Sequence, residues 1–220
     1  IKAIILYYEY NLQIKKKMKI LISILSEPIQ KKIIDEVSEI IDKAPLFNPL
    51  TPIWNKPLSV SITNAGTWGW QSDKNGYKYE KCHPVTKKKW PPIPKIFLEI
   101  WNKYGSPLTQ PNCSLINVYK NEKSTLGIHQ DKDENDFSHP VVSISIGNKA
   151  IFNYGSSRKN LKKICLPSGS IVVLKGESRL YYHSISKVFK SDKNVFYDNQ
   201  NINLPREGRI SVTLRRFQEK

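Results

Sequence analysis

The sequence has few cysteines, no long apolar run and a shortage of acidic residues. Cys82, Cys113 and Cys165 are far apart and form no CxxC pair. A disulfide framework and a zinc–thiolate site are therefore not expected. The expected location is a reducing compartment, the cytoplasm. No apolar run approaches the roughly 18 residues that span a bilayer. The 19 Asp and Glu residues face 35 Lys and Arg residues, giving a formal net charge of +16. Either a lysine-rich, well-solvated surface or a polyanionic partner such as nucleic acid explains that excess.

The length of 220 residues fits one domain with an appendage. The only methionine is Met18, so residues 1–17 are expected to be an extension outside the fold. Residues 18–220 are then expected to form a single domain and to function as a monomer.

Two segments have the apolar spacing of helices. In 26–43, Ser26 can cap the helix, Pro28 suits its first turn, and isoleucines with one valine form a single stripe. In 94–105, Pro94 opens the pattern and a glycine ends it. The region between them, about 46–93, is rich in Trp, Gly and Pro and is predicted to contain strands and loops.

From residue 114 onward the apolar pattern alternates with a period of two. Short strands separated by turn residues predict a mainly β fold with flanking helices (α+β), built on a jelly roll, from about 114 to 217. The polar segment 187–208 is predicted to be a surface loop. The predicted strands are 114–119, 125–131, 141–146, 150–154, 162–166, 170–174, 178–183 and 209–217.

The segment "TLGIHQDKDENDFSH", residues 125–139, concentrates acidic and histidine side chains. A calcium loop of the EF-hand type starting at Asp131 would need Gly at its sixth position and Glu at its twelfth. Asp136 and Val142 stand there instead. The sequence therefore excludes an EF-hand, and leaves a solvated loop or a metal site.

In a strand, residues two apart face the same side, so His129 and Asp131 would point together. A third ligand could come from another strand, and His183 at the end of "SRLYYH" is the best candidate. Two imidazoles and one carboxylate suit Fe(II) and leave coordination positions open. An HxD pair alone is more often an ordinary surface feature.

Two further segments carry polar side chains along one face of a strand. "RISVTLRRF" (209–217) places Arg209, Ser211, Thr213 and Arg215 on one side. Inside a barrel, its arginines could grip the carboxylates of an anionic cosubstrate. "LINVY" (115–119) similarly offers an asparagine and a tyrosine to the same ligand. An amphipathic strand facing water remains the alternative for each segment.

Taken in order, "NVY" (117–119), "HQDKDE" (129–134), "GESRLYYH" (176–183) and "RISVTLR" (209–215) resemble the AlkB family of Fe(II)- and 2-oxoglutarate-dependent dioxygenases. The likeness is closest to bacterial members and covers roughly residues 45–217. It also includes "TNAGTWGW", "NGYKY" and "WPPIP". It implies a double-stranded β-helix core, preceded by a nucleotide-recognition lid at about 46–93.

The resemblance implies three sets of site residues, read from this sequence. The expected metal ligands are His129, Asp131 and His183. The expected 2-oxoglutarate contacts are Asn117, Val118, Tyr119, Arg209, Ser211, Thr213 and Arg215. The expected substrate contacts are Trp70, Tyr77, Lys78, Tyr79, Asp133 and Lys159, with the damaged base between Trp70 and Tyr77 and its exocyclic group on Asp133.

The implied activity is oxidative demethylation of 1-methyladenine and 3-methylcytosine with dioxygen, releasing formaldehyde and succinate. The implied partner is alkylated single- or double-stranded DNA, with RNA as a second candidate and no membrane. Ser211 and Lys159 depart from the family's usual Asn and Arg. The shorter Ser211 is expected to weaken cosubstrate binding, and Lys159 keeps the charge but loses the planar fork. The alternatives are a basic nucleic-acid-binding module with weak catalysis, or a dioxygenase acting on a protein or small molecule.

Overall fold

The computed structural model describes residues 18–190, 196, 204–205 and 207–219. The expected extension, 1–17, lies outside the described residues, as does much of the predicted loop 187–208. The elements in chain order are β1 (Lys19–Leu21), α1 (Glu27–Lys43), β2 (Ser61–Gly66), β3 (Gly69–Asp73), β4 (Gly76–Glu80), α2 (Lys95–Ile100), β5 (Cys113–Tyr119), β6 (Leu126–His129), β7 (Val141–Gly147), β8 (Ala150–Gly155), β9 (Lys162–Leu166), β10 (Ser170–Leu174), β11 (Tyr182–Val188) and β12 (Arg209–Arg215).

The strands of the described residues form two large antiparallel sheets and one hairpin. The larger sheet has the order β1-β10-β7-β12-β5-β2, and the smaller has the order β6-β11-β8-β9. Apolar side chains of both sheets, among them Leu115, Val172 and Phe152, meet in one cluster between them. The predicted mainly β fold with a jelly-roll core and flanking helices is confirmed.

The helices cover the outer face of the six-stranded sheet. Helix α1 buries the apolar stripe expected from its spacing, including Ile33 and Val37, against core residues of that sheet such as Ile144. The second predicted helix forms as α2 and then continues as a π-helical turn, Trp101–Gly105. The site-bearing interior therefore lies between the sheets, on the side away from the helices.

One predicted strand is displaced along the chain. Segment 178–183 was expected to be extended, but Gly176–Ser178 forms a 3₁₀ turn, and β11 begins only at Tyr182. The Ser178 hydroxyl donates to the carbonyl of Lys175 and accepts from its N–H. This local bonding closes the turn, an option that the alternating pattern of residues does not reveal.

The region 46–93 divides between the large sheet and the hairpin. Strand β2 pairs with β5 and extends the six-stranded sheet, whereas β3 and β4 pair only with each other among the described strands. We call the β3–β4 pair the lid hairpin. In the described part of the chain, no helix is long and apolar enough to cross a bilayer.

Gly66 ends β2 with φ +119°, and a Cβ there would collide with the backbone carbonyl of Asn112. Gly76, in the lid hairpin, has a similar φ of +123° but no heavy atom within 4 Å of an added Cβ. We expect Gly66→Ala to lower the free energy of unfolding by about 1–3 kcal/mol more than Gly76→Ala does, because only the first also overpacks. Urea denaturation of both variants measures the difference, and equal losses would contradict the collision.

Candidate active site

Two histidines face each other across neighbouring strands of the smaller sheet. His129, the last residue of β6, is the direct cross-strand partner of His183 on β11. Each ring has its Nδ1 near the carbonyl oxygen two residues earlier, Gly127 at 2.8 Å and Tyr181 at 3.0 Å. With Nδ1–H donating to these carbonyls, both Nε2 atoms keep a free lone pair, as a metal ligand requires.

Asp131 completes the cluster from the segment just beyond β6. Its Oδ1 lies 3.8 Å from His129 Nε2, and its Oδ2 lies 3.7 Å from His183 Nε2. An ion about 2.1 Å from each ligand atom can bridge such distances. All three ligand atoms lie within 4.8 Å of one another. The two imidazoles and one carboxylate thus fit Fe(II).

Electrostatics keep these groups in the protonation states that metal binding needs. Burial alone would raise the pKa of the Asp131 carboxyl, but the combined charges of Arg215, His183 and His129 outweigh burial and hold this pKa well below its usual range. Burial, followed by the influence of His129, lowers the pKa of His183 to about 4. Near pH 7 the carboxylate is ionised and the His183 ring is neutral.

A buried ionic network supports the carboxylate from behind. Arg215 Nη2 donates to Asp131 Oδ1 at 2.6 Å, and Arg215 Nη1 donates to Glu134 Oε1 at 3.2 Å. Glu134 also accepts from Arg179 Nη2 at 3.0 Å and from the Tyr79 hydroxyl at 2.6 Å. Since a buried ion needs partners for each of its oxygens, the network holds Asp131 in place from several elements at once.

Sequence reasoning missed Glu134 and Arg179. Alternation from Asp131 and Asp133 would put Glu134 on the opposite face, away from the metal ligands, yet Glu134 is fully buried. Arg179 donates to the backbone carbonyls of Asp131 at 2.6 Å and His139 at 2.8 Å. Both residues lie inside the motifs "HQDKDE" and "GESRLYYH", which was the one indication in the sequence that they belong to the site.

A cavity of about 440 Å³ opens between the two sheets beside the cluster. Its lining combines many apolar side chains with a smaller set of polar ones, an arrangement typical of small-molecule sites. Residues that sequence analysis expected to contact ligands and that line it, besides the metal cluster, are Trp70, Tyr77, Asn117, Tyr119, Asp133, Arg209, Ser211, Thr213 and Arg215.

The buried guanidinium of Arg209 shows whether the cavity suits an anionic cosubstrate. Arg209 is 1% exposed, its Nη2 donates to the Ser145 hydroxyl at 2.8 Å, and its guanidinium carbon lies 5.7 Å from the centroid of the Tyr119 ring. Among the described residues, its Nε and Nη1 have no hydrogen-bond partner. A guanidinium cannot lose its charge in a protein, and an uncompensated buried charge is costly. The residues therefore fit a ligand carrying a carboxylate at this end of the cavity, as 2-oxoglutarate does.

The two arginines of β12 have different partners, although the sequence predicted that both contact 2-oxoglutarate. Arg215 is engaged with Asp131 and Glu134, which leaves Arg209 as the cation free for an anionic ligand. Burial raises the pKa of Tyr119 to about 12, against the opposing charge of Arg209, so its hydroxyl stays protonated and able to donate. Ser211 lies 3.0 Å from the Ser143 hydroxyl.

Val118 is fully buried, and it packs in the core on the outer side of the sheet. Its neighbours Asn117 and Tyr119 line the cavity. Strand alternation places adjacent residues on opposite faces. The Val118 side chain therefore faces away from the cavity and does not contact a cosubstrate bound there.

At the mouth of the cavity, the lid hairpin brings aromatic rings to Asp133. Trp70 Nε1 donates to Asp133 Oδ2 at 3.0 Å, and the Trp70 and Tyr77 rings stack with centroids 5.7 Å apart. A base between two rings needs about 7 Å, twice the ~3.4 Å rise of stacked bases. The expected sandwich therefore requires the two rings to separate.

Three expected substrate contacts lie elsewhere. Lys78 is on the far side of the hairpin, where it pairs with Asp73 at 3.1 Å. Tyr79 is buried behind the metal cluster with its hydroxyl on Glu134. Lys159 is exposed and does not line the cavity, whereas its neighbour Arg158 does, with Nη2 3.2 Å from the Ile128 carbonyl.

Comparison with known proteins agrees with this geometry. The family model described as "2OG-Fe(II) oxygenase superfamily" matches residues 17–215. The chain belongs to this superfamily. It is therefore an iron(II)- and 2-oxoglutarate-dependent dioxygenase, and its cofactors are Fe(II), 2-oxoglutarate and dioxygen.

The resemblance to AlkB is also confirmed. The dioxygenase is 36% identical over 189 residues to the AlkB homolog of Caulobacter vibrioides, covering 85% of this chain and 81% of the relative. It is 38% identical over 161 residues to AlkB of Escherichia coli, covering 70% and 74%. The solved structure of OsALKBH1 superposes with a TM-score of 0.75 at 25% identity, covering 91% of this chain and 98% of that one.

The metal cluster predicts a selective effect of losing one imidazole. We expect His183→Ala to weaken Mn(II) binding by more than the roughly 10–100-fold typical of a residue that only supports a ligand. His139→Ala is the matched control, because His139 contacts Asp136 and Thr109 and lies outside the cluster. Titration followed by electron paramagnetic resonance reports both affinities, and an unchanged affinity for His183→Ala would remove it from the ligand set.

Arg209→Met should separate ligand binding from stability. The change removes an uncompensated buried charge, so the ligand-free dioxygenase should be at least as stable as the parent. It should also weaken 2-oxoglutarate by about 3–5 kcal/mol, more than 100-fold in Kd. Thermal unfolding without oxygen, with and without 2-oxoglutarate, measures both effects. Arg216→Met is the control, because Arg216 Nη1 donates to the Gln110 carbonyl and Arg216 does not line the cavity. It should keep the parent's ligand-induced rise in Tm, and an equal rise in Arg209→Met would refute the assignment.

Proposed function

We propose that this dioxygenase removes alkyl groups from ring nitrogens of nucleobases, in DNA and, as a second candidate, in RNA. The observation that carries the proposal is the pairing of Asp133 with the Trp70 and Tyr77 rings at the mouth of the metal-bearing cavity. A planar cation gains from both an aromatic face and a carboxylate. Bases such as 1-methyladenine and 3-methylcytosine are planar cations.

The substrate enters by displacing part of the lid. Tyr77 is 57% exposed, whereas Trp70 is tied to Asp133 and to Asn64 through its backbone N–H. Tyr77 is therefore the ring that moves, and the base stacks on Trp70. An alkyl group on the pairing edge weakens the base pair and lowers the cost of unstacking, normally a few kcal/mol.

Within the cavity, His129, Asp131 and His183 hold the iron, and Arg209 grips the distal carboxylate of the cosubstrate. Asn117 and Tyr119 add hydrogen bonds to the same ligand. When bound, iron(II) and 2-oxoglutarate supply the oxidation of an alkyl C–H bond by dioxygen, with release of succinate and carbon dioxide.

The chain's own residues position the substrate for that oxidation. Asp133 holds the exocyclic amino group of the base, so the N-alkyl group points toward the metal cluster. A hydroxymethyl group formed on the ring nitrogen then leaves as formaldehyde: the hydroxyl proton is released, the N–C bond breaks with its electron pair staying on nitrogen, and the base becomes neutral again. The apolar walls of the cavity, among them Leu126 and Ile185, limit access of water to the reacting group.

The proposed setting is a reducing compartment such as the cytoplasm, which the three free cysteines suit. All residues of the proposed site come from one chain, so the enzyme is proposed to work as a monomer.

Formaldehyde and succinate released from an oligonucleotide containing 3-methylcytosine test the function. We expect Asp133→Asn to lower kcat/KM about 10–100-fold, because a charge-assisted hydrogen bond contributes about 1.5–3 kcal/mol. Asp136→Asn is the matched control, since this carboxylate lies in the same segment and contacts Ser138 and His139 instead. A protein that binds 2-oxoglutarate but releases no formaldehyde from methylated oligonucleotides would favour a binding module or another substrate.

A further inference from the structure

The part of the chain that carries β8, β9 and β11 is strongly basic. Between Lys149 and Lys190 it has nine Lys or Arg residues, of which Arg179 is buried against Glu134, and one acidic residue, Glu177. Helix α1, on the other side of the six-stranded sheet, has three lysines and five acidic residues. A generally lysine-rich surface would distribute its charge evenly, so this separation indicates a partner for the basic side.

Five exposed cations lie on the smaller sheet and on the loop at the cavity mouth. We call them the basic face. Strand alternation explains part of it, because Ile164 and Leu166 of β9 pack into the core and turn Lys163 outward, whereas Lys162, the first residue of the strand, is exposed on the other side. The residues of the basic face are Arg158, Lys159, Lys162, Lys163 and Lys187.

Among the described residues, the cations of the basic face have no acidic partners. No described residue forms an ion pair with any of the five. On the helical side, Lys43 pairs with Glu39 at 3.3 Å and Lys95 with Glu99 at 3.9 Å. These two lysines are thus paired within the chain, whereas the basic face retains its charge for an external anion.

The basic face also begins at the proposed active site. Arg158 lines the cavity and lies over the Tyr182 ring, with its guanidinium carbon 5.8 Å from the ring centroid. Lys163 and Lys187 lie on strands that flank β8, opposite Asn153 and Ile151. Two strand spacings and an offset of two residues therefore put their backbones about 12 Å apart. At ~3.4 Å of helix rise per nucleotide, this corresponds to about three to four nucleotides.

We propose that the basic face is a track for the phosphodiester backbone of the nucleic-acid strand on one side of the flipped base. The inference rests on the proposed function for the identity of the partner, but it assigns a surface outside the cavity. Arg158 contacts the backbone nearest the base, and Lys163 and Lys187 contact phosphates farther along. The contacts are sequence-independent, since they involve phosphates only.

The test is the salt dependence of binding to unmethylated oligonucleotides of about 20 nucleotides, in which each lost phosphate contact reduces the slope of log K against log salt by ~0.7. We expect Lys163→Gln/Lys187→Gln to reduce the slope by roughly 1 to 1.5, for DNA and RNA of the same sequence. Lys43→Gln/Lys95→Gln removes the same charge from the helical side and should leave the slope at the parent value. Fluorescence anisotropy measures all three proteins.

A slope equal to the parent's in Lys163→Gln/Lys187→Gln would overturn the proposal, as would an equal reduction in the control. Vesicles containing phosphatidylserine test a membrane surface as the partner. Vesicle binding that depends on the same two lysines and competes with the oligonucleotide would overturn the nucleic-acid assignment.

Turnover separates this proposal from the proposed function. A methylated trinucleotide reaches the cavity but not the far lysines, so formaldehyde release from it should be equal in the double variant and the parent. If oligonucleotide binding needs the lysines but no methylated substrate is turned over, the track stands and the demethylase function fails. If turnover occurs but the slope is unchanged, the function stands and the track fails.

Discussion

The buried ion pair between Asp131 and Arg215 is the interaction on which the rest of the site depends. Without the guanidinium, burial would favour a protonated carboxyl, which is a poor ligand for a metal ion. Because Arg215 belongs to a central strand of the larger sheet and Asp131 follows an edge strand of the smaller one, the pair also connects the two sheets at the active site. Glu134 extends the connection to the lid hairpin through Tyr79. The same buried charges therefore keep the metal ligand ionised and hold the two sheets and the lid hairpin together.

Much of the fold could be predicted from the alternation of residues. The period of two in "RISVTLR" identifies a strand whose polar face points into a barrel, and β12 does place Arg209 and Arg215 in the cavity. The spacing of His129 and Asp131 identifies one half of the metal cluster. His183 as a third ligand requires the register of β6 against β11, which depends on long-range packing and is not encoded in the spacing of either motif.

The remaining differences have local physical causes. Glu134 is buried because the chain leaves the strand at His129, after which alternation no longer predicts a side chain's direction. The choice between Arg158 and Lys159 depends on a loop after β8, where no periodic pattern applies. The contact between Trp70 and Tyr77 reflects the closed position of the hairpin, and the sequence specifies the hairpin but not its position.

The unpaired guanidinium of Arg209 links the folding of this enzyme to the metabolic state of the cell. A ligand that binds only the folded form stabilises it by an amount that grows with the logarithm of ligand concentration above Kd. Since 2-oxoglutarate would compensate a buried charge beside which the described residues offer the Ser145 hydroxyl and the Tyr119 ring, the folded enzyme should be less stable where this keto acid is scarce. Scarcity of the cosubstrate would then lower both the activity and the amount of folded protein.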